Sequence, residues 1–170
     1  MRLLCRDFRE IARALKWYYA HAGVYDQVLV PRDDDRRAKA FLAFCEACRA
    51  PRRGLQSGAR EGKRIGPHWQ ILDLYDPSEL IDLRLDVCAM QGIADGSYDA
   101  IVCNAVLEHV ERPDAAIREM HRVLKPGGEI WVEVPFVQAY HPAPLDLWRT
   151  SRAGIERWMR DFEKLDSGDF

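Results

Sequence analysis

Two histidines and a small set of carboxylates carry the reactive chemistry of this 170-residue chain. His109 stands beside Glu108 just after the apolar run Ala100-Ile101-Val102-Cys103, and His141 follows Pro135-Phe136 after the next apolar run. Imidazole titrates near neutrality, so either histidine can take a proton from a substrate held before it. Each also has a plainer use. His109 can hold its own loop by a hydrogen bond, and His141, with Pro142 and Pro144, can shape a connection. Glu108, His109 and His141 together have the donor types of a divalent-metal site, but further ligands are not evident in the sequence, and no metal is assigned. Asp73 closes the apolar run Trp69-Gln70-Ile71-Leu72. A carboxylate there can accept both ribose hydroxyls of a nucleoside, or it can open the turn at Asp76-Pro77. Asp86, with Val87 and Cys88 after it, and Asn104 fall at similar strand ends. Cys45 and Cys48 have the spacing of half a zinc site, yet no second pair follows and the segment reads as helix, so they are expected to be core thiols.

The elements that must hold these groups follow from periodicity. Residues 5–20 place Phe8, Ile11, Ala12, Leu15 and Tyr19 on one helical face, and Asp33-Asp34-Asp35 opens a second helix that runs on from Ala38 to Cys48. From Pro51 to Pro67, glycines at 54, 58, 62 and 66 suggest loops around one short strand. Residues 69–74, 81–87 and 98–103 read as strands. Pro113 begins a helix with the stripe Ala116, Ile117, Met120, Val123 and Leu124. Pro126-Gly127-Gly128 is expected to end it and to lead into a strand carrying Ile130, Val132 and Val134. Strand, helix and strand in this order imply a right-handed crossover in a parallel sheet, at whose carboxyl ends ligands bind. Residues 151–162 read as a last helix. One domain is expected, with residues 1–50 as a helical segment packing on an α/β core of residues 51–170.

Composition narrows the classes. A hydrophobic fraction of 48% allows a sizeable core. No run approaches the roughly 20 apolar residues of a membrane span, and the start lacks the apolar stretch of a signal peptide, so a cytoplasmic protein is expected. Five scattered cysteines fit reduced thiols. A net charge of −2 argues against bulk nucleic acid as a partner.

The run Ser97-Tyr98-Asp99-Ala100-Ile101-Val102-Cys103-Asn104-Ala105-Val106-Leu107-Glu108-His109-Val110, followed by Arg122-Val123-Leu124-Lys125-Pro126-Gly127-Gly128, resembles the central part of class I S-adenosylmethionine-dependent methyltransferases. The order of segments is similar to that family from about Leu55 to Thr150. The resemblance implies a Rossmann-like three-layer α/β/α sandwich with a mostly parallel sheet, and S-adenosylmethionine as cofactor. It assigns Asp73 to the ribose, Asp86 with Val87 and Cys88 to the adenine, and Asn104 to the methionine side. Gly58 and Gly62 are what remains of the family's first glycine motif. Arg60, between them, either pairs with the methionine carboxylate or occludes the site. His109 and His141 are the catalytic candidates. Residues 141–150 are similar to a stretch of methyltransferases that modify glycans or natural products, where Asp146 and Arg149 either pair with each other or line an acceptor pocket. The implied activity is methyl transfer to a small-molecule or saccharide-like acceptor; the altered glycine motif favours instead a partner-binding module that keeps the fold without catalysis. The chain stops before the family's C-terminal antiparallel hairpin, so the sheet is expected without it, and an exposed edge would favour a homodimer.

Overall fold

The computed structural model describes residues 34–58 and 63–167. The helix read over residues 5–20, together with Cys5, Arg60 and Gly62, lies outside them. The chain divides into two compact units, residues 1–40 with 168–170 and residues 41–167. Of the first, the described part is the opening of helix α1, Asp34–Ala47.

In the second unit, strands β1 (Gly54–Ser57), β2 (Trp69–Leu72), β3 (Tyr98–Asn104) and β4 (Leu124–Glu133) form one parallel sheet in the order β2-β1-β3-β4. Helix α2 (Pro113–Val123) connects β3 to β4, and α3 (Arg152–Trp158) follows. Strands buried on both faces read as nearly continuous apolar runs, which is why β3 was plain in the sequence. One face packs Leu55, Leu72, Ile101 and Cys103 against Ile117, Met120 and Val123 of α2, with Trp158 and Phe162 at its margin. The other packs Trp69, Ala100 and Val102 against Cys48, Phe41 and Phe44. Cys48 is thus a buried core thiol, and Cys45 packs half-buried against the same cluster. Gly54 is required by this second face, because a Cβ there would sit 2.3 Å from the Trp69 ring.

Three local expectations change. Residues 81–87 make a single parallel bridge, Leu72 to Leu83, rather than a strand. Asp82 is the reason: its carboxylate accepts the Ile71 N–H at 2.7 Å, taking a place that a ladder carbonyl would fill, and is itself held by Arg64. Helix α2 ends before its glycines, since Leu124 is already extended and opens β4. Helix α3 stops at Trp158, four residues short of the expected Phe162.

Candidate active site

From β1 the chain moves outward to β2 and then returns to place β3 on the opposite side of β1. That reversal opens a crevice between the carboxyl ends of β1 and β3, where parallel α/β sheets bind ligands. A cavity of about 320 Å³ lies there, lined by Ser57, Gly58 and Asn104 with Phe41, Lys63 and Ile65. Gly58 has φ +87, and a Cβ on it would meet Val106 at 2.7 Å, so the loop turns closely beneath the residues after β3. Gln56, buried at 2% exposure, closes the same loop: its amide donates to the carbonyls of Gly58 and Lys63 and accepts the Ile65 N–H. A carboxylate could not make the two donated bonds. Asn104 donates to Glu133 at 2.7 Å, joining the ends of β3 and β4.

A second group sits in the loops after β3 and β4. The Glu108 side chain is fully buried, yet neither carboxylate oxygen has a hydrogen-bond partner. His109 and His141 each present Nε2 to the same Glu108 oxygen at 3.6 Å, and their rings meet edge to face with centroids 5.0 Å apart. Burial pushes the Glu108 carboxyl above the usual carboxylate range, with the two histidines opposing the shift. The loop after β4 reaches this group because it is pinned to the loop after β3: Leu147 N–H donates to the Glu108 carbonyl at 2.7 Å, and the Trp148 indole to that of Val110 at 2.8 Å. Asp146 accepts the His141 N–H and a forked pair of bonds from Arg149 at 2.6 and 2.8 Å. Asp146 and Arg149 thus pair with each other, the Asp146 side chain 1% exposed and its carboxyl held far below the ordinary range by Arg149.

Residues 72–132, the stretch that supplies β3, α2 and most of β4, match the methyltransferase domain family. That stretch, a little over a third of the chain, carries the methyltransferase domain, and the chain resembles the class I S-adenosylmethionine-dependent methyltransferases. The chain is 51% identical over 37 residues to a ubiquinone biosynthesis O-methyltransferase from Xanthomonas oryzae pv. oryzae, covering 22% of this chain and 16% of that protein. Its fold is similar to that of an S-adenosylmethionine-dependent methyltransferase from Archaeoglobus fulgidus, with a TM-score of 0.57 and 13% identity over 83% of this chain and 72% of that one. It is also similar to the 1,6-didemethyltoxoflavin-N1-methyltransferase of Burkholderia thailandensis, with a TM-score of 0.52 and 17% identity over 95% of this chain and 81% of that one. The fold is the expected Rossmann-like α/β/α sandwich, and the cofactor of the methyltransferase domain is S-adenosylmethionine.

The donor set lining the crevice fits the amino-acid end of S-adenosylmethionine: a glycine turn, the Asn104 amide and the Lys63 cation can meet its ammonium and carboxylate groups. Gly58 and Asn104 line the cavity; Asp73 and Asp86, in the segments after β2, are not in its lining. One oxygen of Asp73 accepts the N–H groups of Tyr75 and Asp76, so the carboxylate opens the turn as its plainer reading had it. Asp86 accepts the Cys88 N–H, Val87 points into the core, and burial together with Asp86 pushes the Cys88 thiol up to about 11. His109 and His141 are brought together although 32 residues separate them in the chain. The sequence reading missed Gln56 as loop closure and the depth at which Glu108 lies. A buried glutamine in a strand with no other polar side chain but Ser57 was the available signal for the first; nothing local signalled the second.

Proposed function

We propose that this protein moves the methyl group of S-adenosylmethionine to a nucleophilic oxygen of a small-molecule or saccharide-like acceptor. The cofactor supplies an activated methyl: its carbon–sulfur bond breaks with the electron pair left on sulfur as an acceptor lone pair bonds to the carbon. The chain's own work is then to hold the acceptor in line and to accommodate the proton that it gives up. Gly58, Asn104, Asp73 and the Asp86–Cys88 turn bind the cofactor across the crevice. Glu108, His109 and His141 form the electronegative group that draws the acceptor's proton away, and the Asp146–Arg149 pair positions His141. The observation that carries this reading is the buried Glu108 carboxylate, without a hydrogen-bond partner, facing the two imidazoles of His109 and His141. An oxygen acceptor is supported by the name of the Xanthomonas relative, an O-methyltransferase.

Calorimetric titration with S-adenosylmethionine and S-adenosylhomocysteine tests the cofactor half. Micromolar binding is expected, weakened about tenfold or more in Asp73→Ala, which is a loss of about 1.4 kcal/mol. Asp73→Asn keeps an acceptor for the Asp73 turn and separates loss of that turn from loss of the ribose contact. Absence of binding to either ligand by folded protein would replace this reading with a partner-binding module.

A further inference from the structure

We propose that Glu108, His109 and His141 bind one divalent first-row transition-metal ion, through a Glu108 oxygen and the Nε2 atoms of both histidines. The three donor atoms lie within 4.8 Å of one another. Donors around a common ion at bond lengths of about 2.0–2.2 Å stand roughly 3.0–3.4 Å apart. The two Glu108–histidine separations, 3.6 Å each, are a few tenths of an ångström above that. They are too long for the direct alternative, a charge-assisted hydrogen bond between imidazolium and carboxylate, which runs about 2.7–2.9 Å.

The outward ring nitrogens decide which atoms face the carboxylate as donors of lone pairs. His109 Nδ1 lies 2.5 Å from the carbonyl of Leu145, and His141 Nδ1 lies 2.9 Å from that of Ala139. A carbonyl only accepts, so each Nδ1 carries a proton, and in the neutral ring the lone pair is on Nε2. The Arg149 guanidinium stands farther from His141 Nδ1, at 3.3 Å, and already donates to Asp146 and to the Ala139 carbonyl. Metal-binding histidines have this arrangement, with the second nitrogen donating to a carbonyl that fixes tautomer and ring orientation. Two imidazole nitrogens then converge on a buried carboxylate that has no hydrogen-bond partner, a gap that a bound cation would fill.

Two imidazoles and one carboxylate suit zinc, manganese, iron, cobalt or nickel better than magnesium or calcium, which take oxygen sets. Glu108 is sealed, whereas the His109 and His141 side chains are 14% and 31% exposed, so the ion keeps positions open on the histidine side. That an acceptor oxygen fills one of them rests on the methyl-transfer reading; the ion site itself does not.

The test is titration of the chelator-treated full chain with Zn²⁺ by calorimetry and with Co²⁺ by visible absorption. One ion per chain is expected, with a raised Tm, and at least about hundredfold weaker binding in Glu108→Gln and in His141→Gln, more than the loss of a supporting partner costs. Glu108→Gln preserves shape and removes a buried charge, so its fold is expected to survive, as circular dichroism would register. No binding by folded wild type, binding unchanged in both variants, or cobalt–thiolate charge-transfer bands that place the ion on cysteine would each overturn the proposal. Titration with S-adenosylmethionine on the same samples separates the two ideas: cofactor binding without metal binding sinks only the ion site, and the converse sinks only the cofactor reading.

Discussion

Glu108 and Gly58 are residues whose side chains, one present and one absent, the local backbone does not explain. A buried carboxylate without partners costs stability, because its desolvation is not repaid by hydrogen bonds. Glu108→Gln should therefore raise the unfolding free energy of the metal-free protein by about 1–3 kcal/mol in urea denaturation while it lowers methyl transfer. A neutral or destabilising result would mean that the carboxylate is satisfied in solution. Gly58 makes the opposite case. Its φ of +87 and the 2.7 Å approach of Val106 leave no room for a methyl group. Gly58→Ala is expected to cost about 1–3 kcal/mol in the same assay and to weaken S-adenosylmethionine binding, since the shifted loop lines the crevice. Loss of stability with unchanged cofactor affinity would assign the glycine to packing alone.

At the scale of elements, Asp99 joins three strands at their entry. Its carboxylate accepts the Arg53 N–H just before β1 at 2.8 Å and pairs with Lys125 of β4 at 2.9 Å, while its own N–H donates to the Arg53 carbonyl. The Arg53 N–H, and then Lys125, hold the Asp99 carboxyl below the usual aspartate range. A depressed folded pKa contributes stability above the unfolded value, and that contribution is lost as pH falls through the folded one. Asp99→Asn should thus be less stable at pH 7 by about 1 kcal/mol, one hydrogen bond's worth, with little from the solvent-screened lysine. The gap to wild type should narrow below about pH 4, which thermal melts at several pH values would follow; a gap independent of pH would count against the ionised contact. Asp99 and Lys125 belong to the two motifs that resembled the methyltransferase family, and Arg122 of the second motif ties α2 to the turn before β3 through Asp95 and the carbonyls of Ile93 and Met90. Much of the recognisable sequence is thus structural. Strand β3 and helix α2 were legible because burial imposes a period on their own residues. Residues 81–87 were not, because Asp82 swaps a ladder bond for a side-chain bond, a choice made by Arg64 from another segment. His109 and His141 were legible as candidates by type and position. Their convergence on Glu108 was not, since it depends on backbone bonds from Leu147 and Trp148 that pattern does not encode.

Across the whole molecule, the sheet order divides the proposed reaction between two sides. In the proposed reaction the cofactor groups are those of the loops after β1 and β2 and the acceptor groups those of the loops after β3 and β4, with Asn104 and Glu133 hydrogen-bonded between the ends of β3 and β4. The second side is held by Arg149, whose guanidinium grips Asp146 and the carbonyls of Gln138 and Ala139 around His141. Removing it loosens the His141 loop without touching Gly58 or Asp73. Arg149→Ala is expected to raise the acceptor KM about tenfold, or about 1.4 kcal/mol, and to leave the S-adenosylmethionine Kd within a factor of about two. Arg149→Lys keeps the charge but not the fork, and should fall between wild type and alanine. Asp73→Ala should give the mirror result, a weaker cofactor Kd with the acceptor KM little changed. Distant sites without shared partners add nearly independently, so the double variant should show the sum of the two free-energy losses. A loss in the double variant that departs from that sum by more than about 0.5 kcal/mol would mean that the two sides close over their ligands as one unit, and the division by sheet order would then describe the architecture but not the energetics.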